Sequence, residues 1–346
     1  MTSEHRKVVT VVKAGPQTAV QDTGRPGYLM QGIPQAGPQD SFSLRLANLL
    51  VGNQPGPPPL SCGDAGDAGL EFMMIGPTLE FASDAVIAIT GGETEPRIDG
   101  TAVPLRESLA VKAGGRLEVG PVKRGLRGYI AFAGGIDVPP FLDSRATQLG
   151  IGLGGFEGRP LRDGDRLQLF DQAGIVGQQA PEEVATPLSA EAALHVVMGP
   201  QDAMFDDVSQ EAFVGADWKL QPVSNRMGFR FSGPTLTFTD DRPSYFDRDG
   251  GANPSNIVDD IIPFGGIQCP SGAELILMGV EHPTAGGYAK IATVISPDLS
   301  IVGQMRPGST ARFHAVSVEE AIARNAEVEA RLDALIPAEA TSRRAV

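Results

Sequence analysis

Forty-three glycines and 28 prolines run through a chain of 346 residues, and their even spread constrains the fold more than any other feature. Proline lacks a backbone donor and glycine has excess conformational freedom in the unfolded chain, so both weaken long helices. Distributed in this way they read as turns between many short strands, favouring a β-rich fold over helical bundles. Alternating apolar runs fit between the turns: Val8-Val-Thr-Val-Val12, Ala85-Val-Ile-Ala-Ile-Thr90, Leu117-Glu-Val119 and Tyr129-Ile-Ala-Phe132. One helix interrupts them. Asp40 or Ser41 can cap it, Phe42, Leu46 and Leu50 share a face, and Gly52 sits where a C-terminal glycine cap belongs.

The length suits two domains. Residues 1–172 form the first. Residues 173–190, rich in Gln, Ala, Glu and Pro, read as a linker. A second strand-rich domain, 191–316, opens at Leu194-His-Val-Val-Met198 and carries Gly228-Phe-Arg-Phe231, Leu275-Ile-Leu-Met278 and Ile291-Ala-Thr-Val-Ile295. Gly76-Pro-Thr-Leu-Glu-Phe81 is echoed by Gly233-Pro-Thr-Leu-Thr-Phe238, which points to two related halves. Each half must then close its own sheet or barrel, because open strand edges invite aggregation. Residues 317–346 form a terminal helix and tail. Ser317-Val-Glu-Glu320 is a capping box, Val318, Ile322, Leu332 and Leu335 share a face, and Pro337 ends the helix.

The net charge of -14 repels phosphate backbones, so nucleic acid is not an expected partner. Local arginines can still create a cleft for a small anion. Cys62 and Cys269 lie far apart with no Cys-x-x-Cys spacing, and read as two buried thiols in a reducing compartment. Met1 to Lys7 has no apolar signal core and no run reaches the roughly 20 apolar residues of a membrane span. A cytoplasmic protein is expected, with no membrane partner. His5, His195, His282 and His314 have no ligand spacing, so no metal site is expected. Gly150-Ile-Gly-Leu-Gly-Gly155 fits the dinucleotide pattern, but Gly158, Pro160 and the turn Arg162-Asp-Gly-Asp165 follow where a helix is needed.

Three polar clusters could carry chemistry. The first is Gln21, Asp22, Arg25 and Asp40 with Asn48 and Asn53. It reads either as a braced turn with capping amides or as a site in which Arg25 clamps a carboxylate. The second is Ser224-Asn-Arg-Met-Gly228, where Asn225 and Arg226 precede a strand. The third is Glu281-His-Pro-Thr-Ala-Gly-Gly-Tyr-Ala-Lys290, preceded by Gly266-Ile-Gln-Cys-Pro270. Gly286 and Gly287 remove side-chain bulk where a ligand or another backbone comes close. Gln268, Glu281, Thr284, Tyr288 and Lys290 surround them with polar groups.

The three clusters, with Ala133-Gly-Gly-Ile-Asp-Val-Pro-Pro140 and the loop Ala146 to Arg159, resemble in order the carboxyltransferase-domain family (subdomains C and D). That family includes the second subunit of allophanate hydrolase, the matching part of urea carboxylase, KipA-like proteins and the C-type subunit of 5-oxoprolinase. Ile136 to Pro140 and Gly154 to Arg159 are similar to the last of these in particular. The resemblance implies a mainly β fold of two tandem cyclophilin-like β-barrels with a few helices. It also implies one component of an ATP-dependent complex that opens the 5-oxoproline lactam to glutamate, beside a subunit-1/B-type partner and an A-type partner. ATP would be used by the complex, with no recognisable site on this chain. Glu281, Asp22 and Lys290 would be catalytic. Gln21, Arg25, Asp40, Asn48, Asn53, Asn225, Arg226, Gln268, Thr284, Gly286, Gly287 and Tyr288 would bind a small amide substrate. Two alternatives share this polar face: half of a biotin-dependent carboxyltransferase, and a KipA-like antagonist that does no chemistry. The family pattern Asp-x-Gln-Thr-Thr-Gly-Gly-Tyr is Glu281-His-Pro-Thr-Ala-Gly-Gly-Tyr288 here, which lengthens the carboxylate and deletes an amide.

Overall fold

Short strands dominate residues 7–239 and 253–335, the residues described by the computed structural model. The chain divides into two units. The first holds the residues up to Arg25, Ala36–Leu188 and the chain from Glu327; the second holds Pro26–Gln35 and Ser189–Ala326.

In the first unit the strands are β1 (Lys7–Lys13), β2 (Gln17–Gln21), β3 (Gly69–Met73), β4 (Ile75–Phe81), β5 (Ala85–Glu93) and β6 (Arg97–Ile98). They are followed by β7 (Thr101–Ala102), β8 (Ser108–Val111), β9 (Arg116–Pro121), β10 (Arg124–Phe132) and β11 (Arg166–Leu169). One sheet has the order β11-β1-β4-β9-β6-β7 and the other β2-β3-β10-β5-β8. Strand periodicity explains how they pack. Val9 and Val11, Leu79 and Phe81, and Leu117 and Val119 alternate inward from the first sheet. Leu70 and Phe72, Ile87 and Ile89, and Ile130 and Phe132 do so from the second, and all join one buried core.

The far side of the five-stranded sheet presents Ala88, Ala131 and Ala133. These small side chains admit the helix α1 (Ser41–Val51), whose Phe42, Leu46 and Leu50 pack there as its spacing predicts. Asp40 caps it by accepting from Ser43 N, and Gly52 closes it at φ 84°.

Residues 173–188, read from composition as a linker, belong to the first unit. Their backbone pairs with its edges: Ile175 N donates to Val51 O, Ser108 N to Gln178 O, and Ala180 N to Arg106 O. Composition reports polarity and flexibility, and it is blind to such pairing.

The second unit contains β12 (Glu191–Met198), β13 (Trp218–Leu220), β14 (Gly228–Ser232), β15 (Asn256–Ile261) and β16 (Gly266–Gln268). It continues with β17 (Glu274–Met278), β18 (Ala285–Tyr288), β19 (Lys290–Val294) and β20 (Thr310–Ala315). Seven of these close a barrel in the order β12-β19-β16-β17-β14-β13-β20, while β15 and β18 pair as a separate ribbon. The barrel closes through a parallel pairing of β12 with β20. Trp218, Phe231, Phe313, Ile267, Leu277 and Ile291 fill it, together with Phe213 from the helix α2 (Asp207–Gly215), stacked on Phe313 at 4.8 Å. A third helix is α3 (Ser296–Gln304). The mainly β architecture with successive β domains matches the expectation; the second closes as a barrel and the first is organised as two sheets.

Some sequence expectations change. Gly76 to Phe81 lies in β4, but its echo at Gly233–Phe238 forms no ladder. Leu236 N pairs with Gly272 O and Phe238 makes an isolated bridge to Phe205. The terminal helix α4 (Val318–Asp333) has its capping box: Glu320 N donates to Ser317 Oγ and Ser317 N to Glu320 Oε2. Its apolar face is shorter than read, because Leu332 is buried whereas Val318 and Ile322 are 53% and 65% exposed. Pro337 lies outside the described residues. Cys269 is buried but Cys62 is exposed, in the loop that follows Pro57-Pro-Pro59.

Candidate functional site

In the first unit the predicted polar residues mainly brace the backbone of neighbouring segments. Asp22 is buried and accepts from Gly24 N at 2.9 Å, from Ser144 Oγ at 2.6 Å and from Arg145 N. Burial nevertheless pushes its carboxyl up to about 6, against those bonds and the nearby Arg25 charge. Arg25, also buried, donates through Nε to Phe141 O at 3.2 Å and through Nη2 to Ala146 O, with Phe141 under its guanidinium. Gln21 Nε2 donates to Thr147 O at 3.0 Å. These three residues therefore hold the loop 141–147 against β2. Asp40 accepts from Ser43 and from Thr186 Oγ1. Asn48 and Asn53 tie α1 to the end of β10: Asn53 donates to Asn48 Oδ1 at 3.0 Å and Phe132 O at 2.8 Å, and accepts from Gly134 N.

A neighbouring buried cluster was not singled out in the sequence. Glu71 Oε2 accepts from the Tyr129 hydroxyl at 2.7 Å and from Gln39 N at 2.8 Å, and Arg127 Nε lies 3.9 Å from Glu71 Oε1. Burial raises the Tyr129 phenol well above its usual range. The signal available was a glutamate inside the apolar strand Gly69–Met73.

Also in the first unit, Asp137 to Pro140 and Gly155 to Glu157 line one cavity of ≈ 400 Å³, with Arg145, Arg166 and Gln168 in its wall. None of the predicted site residues lines it.

The second unit gathers more of the predicted residues. Asn225 is exposed, and its Oδ1 accepts from Met227 N and Gly228 N, shaping the turn into β14. Arg226 Nε donates to Glu281 Oε1 at 2.6 Å, and Glu281 N to Arg226 O at 3.1 Å. This buried pair joins the start of β14 to the loop before β18. His282 stacks on Phe264 and bonds Pro283 O, and burial lowers its pKa.

The third predicted cluster converges at the β15–β18 ribbon. Lys290 opens β19 with its side chain fully buried, and its Nζ donates to Asp260 Oδ2 at 3.1 Å. That bond holds the Asp260 carboxyl below the usual range. Asp260 sits opposite Gly286 in the ribbon, and Gln268 sits opposite Lys290 in the barrel. Gln201 Oε1 accepts from Lys290 N at 3.1 Å. A Cβ on Gly286 would stand 3.0 Å from Gln268 Nε2 and 2.8 Å from Ile262 Cδ1, which explains the glycine by close approach. Thr284 contributes its carbonyl, to Ile262 N, and Tyr288 is partly exposed at the ribbon end. Asp260 and Gln201 were not among the predicted site residues; the register of β15 with β18 brings in Asp260, and Gln201 enters from the turn after β12 through its bonds to the Lys290 backbone.

The arrangement offers buried nitrogen donors beside bare backbone. It suits a small ligand bearing oxygen acceptors. The family described as "Carboxyltransferase domain, subdomain A and B" matches residues 31–315. The chain belongs to this carboxyltransferase-domain family. The match is to subdomains A and B, where the sequence motifs had suggested C and D. Within the family, the chain is 36% identical to the C-type subunit of 5-oxoprolinase from Escherichia coli over 316 residues, covering 91% of this chain and 93% of the relative. It is 33% identical to urea amidolyase of Saccharomyces cerevisiae over 321 residues, covering 90% of this chain but 17% of that protein. The crystal structure of Kluyveromyces lactis urea amidolyase superposes with TM-score 0.86 at 32% identity, covering 96% of this chain and 20% of that one. These carboxyltransferase-domain relatives are enzymes or named subunits of enzymes. Among the described residues, no helix is long and apolar enough to cross a membrane.

Proposed function

We infer that this chain is one component of an ATP-dependent 5-oxoprolinase, working with a subunit-1/B-type partner and an A-type partner. The reaction adds water across the lactam C–N bond and releases glutamate. The observation that carries the reading is the fully buried Lys290 beside the bare Gly286 strand. Arg226 and Glu281 are bonded to each other, and Arg25 and Asp22 serve the 141–147 loop. Lys290 is thus the best-placed cation in the second unit to meet negative charge developing on a small ligand. Asp260 would orient it. The 36% identity to the C-type 5-oxoprolinase component, over nearly the whole of that relative, supports the same reading.

Residues Gly150 to Gly155 form turns about the Gln148–Leu153 bridge, with no helix opening behind them. The helix N-terminus that the dinucleotide motif sets against a pyrophosphate does not follow them. No step on this chain is routed through ATP, which would be used by the assembly.

The test is 5-oxoproline-dependent ADP release by the chain purified with its co-encoded neighbours. Lys290→Met should lower turnover on the order of 10²-fold, the scale for loss of one stabilising donor. Absence of release from the complete set defeats the reading.

A second reading, half of a biotin-dependent carboxyltransferase, is favoured by the likeness to urea amidolyase. Carboxybiotin would then be delivered by another module. Urea-dependent turnover with a biotin carboxylase and carrier, and none with 5-oxoproline, would select it.

A further inference from the structure

Gln268 is 5% exposed, yet its side-chain Nε2 has no hydrogen-bond partner among the described residues. Leaving a buried donor unmade costs free energy, and native proteins retain few such groups. This one lies beside Gly286. Its strand partner is Lys290, and directly opposed residues project to the same face of a sheet. The Lys290 ammonium can donate three hydrogen bonds, and its one bond among the described residues runs to Asp260. Two adjacent strands therefore carry one amide and one ammonium with donors to spare, next to a residue without a side chain.

We propose that Gln268 and Lys290 form a two-donor seat for one carbonyl oxygen of the ligand, beside Gly286, whose missing side chain lets the Gln268 amide come close to the ribbon. For the identity of that ligand the seat rests on the 5-oxoprolinase reading, which makes the acceptor the lactam oxygen. Gln268 then determines specificity. A site built to hydrogen-bond a group discriminates strongly against analogues lacking it. Proline has the same ring and carboxylate without the lactam oxygen, and so leaves the Gln268 donor unfilled.

Two readouts on the full chain test this, thermal melting and calorimetric titration. In Gln268→Leu the unfilled donor is removed, so the variant should melt no lower than the wild type. It should bind 5-oxoproline about tenfold more weakly, and proline no differently from the wild type. Gln268→Glu keeps the shape but exchanges the donor for acceptors, and should bind 5-oxoproline at least as poorly as the leucine variant. A melting point several degrees lower in Gln268→Leu makes the residue structural and overturns the proposal. So does unchanged 5-oxoproline affinity in Gln268→Leu, or wild-type affinity in Gln268→Glu. If the wild type binds no 5-oxoproline while Gln268→Leu melts normally, the lactam reading fails by itself. Acetamide then decides the seat: the Gln268 side-chain ¹⁵N resonance, assigned by its loss in Gln268→Leu, must shift on addition of acetamide, and an unmoved resonance overturns the proposal.

Discussion

Arg226 and Glu281 neutralise each other in the second unit, with Nε and Oε1 2.6 Å apart and both side chains nearly excluded from solvent. Removing one partner strands a buried charge, which typically costs about 3–5 kcal/mol. Arg226→Ala and Glu281→Ala should each lower unfolding free energy by that order in urea titration. Replacing both with apolar residues of similar volume should recover most of it. Single variants as stable as the wild type would show that the pair is solvated in solution.

Asp22 should make the first unit less stable as pH rises. Its carboxyl moves from 3.8 to about 6 because it is buried. The folded state therefore holds the proton more tightly than the unfolded chain. The associated stabilisation is complete below about pH 4 and is lost as pH rises through 6. A shift of this size corresponds to about 3 kcal/mol. Asp22→Asn should flatten the wild-type slope between pH 4 and 6 in denaturant titrations. An identical slope in both proteins would place the titration elsewhere.

Local signals in the sequence were reliable where a residue acts on its own segment. Asp40 and Gly52 cap α1, and Ser317 and Glu320 bond reciprocally at the start of α4, because caps depend on neighbours a few positions away. The paired glycines before Lys290 were read as a point of close approach, and at Gly286 the Ile262 and Gln268 side chains do come close. What could not be read was which distant backbone a polar group would serve. Gln21 reaches Thr147 across 126 positions, and Asp260 enters the Lys290 cluster only through the register of β15 with β18. Glu71 sat within an apolar strand with no partner legible nearby, since Tyr129 is 58 residues away. Residues 173–188 looked like a linker because edge pairing leaves no compositional trace.

Asn53 should be among the most sensitive polar positions of the first unit. Its amide bonds Asn48 Oδ1, Phe132 O and Gly134 N at once. Asn53→Ala leaves buried backbone groups unpaired and should destabilise by about 2–3 kcal/mol. Asn53→Asp should also destabilise, because a carboxylate cannot donate to Asn48 Oδ1 or Phe132 O. Calorimetric melting of the two variants checks this, and a neutral alanine variant would mean that water takes over all three bonds.

Gly286→Ala separates ligand access from folding. Gly286 lies in β18 and needs no left-handed backbone, so an added methyl meets only its surroundings. Those are Ile262 Cδ1 at 2.8 Å and Gln268 Nε2 at 3.0 Å, both side-chain termini that can give way by small rotations. Stability should change by less than about 1 kcal/mol. The methyl nevertheless occupies the space beside the Gln268 donor, so 5-oxoproline affinity should fall about tenfold or more. Gly287→Ala is the comparison, since its Cβ would meet Asp259 Oδ1 at 3.0 Å and Ile257 O at 3.4 Å, away from Gln268. It should bind more nearly like the wild type. Equal losses from the two alanines would mean that the ribbon as a whole, and not the face beside Gln268, governs binding.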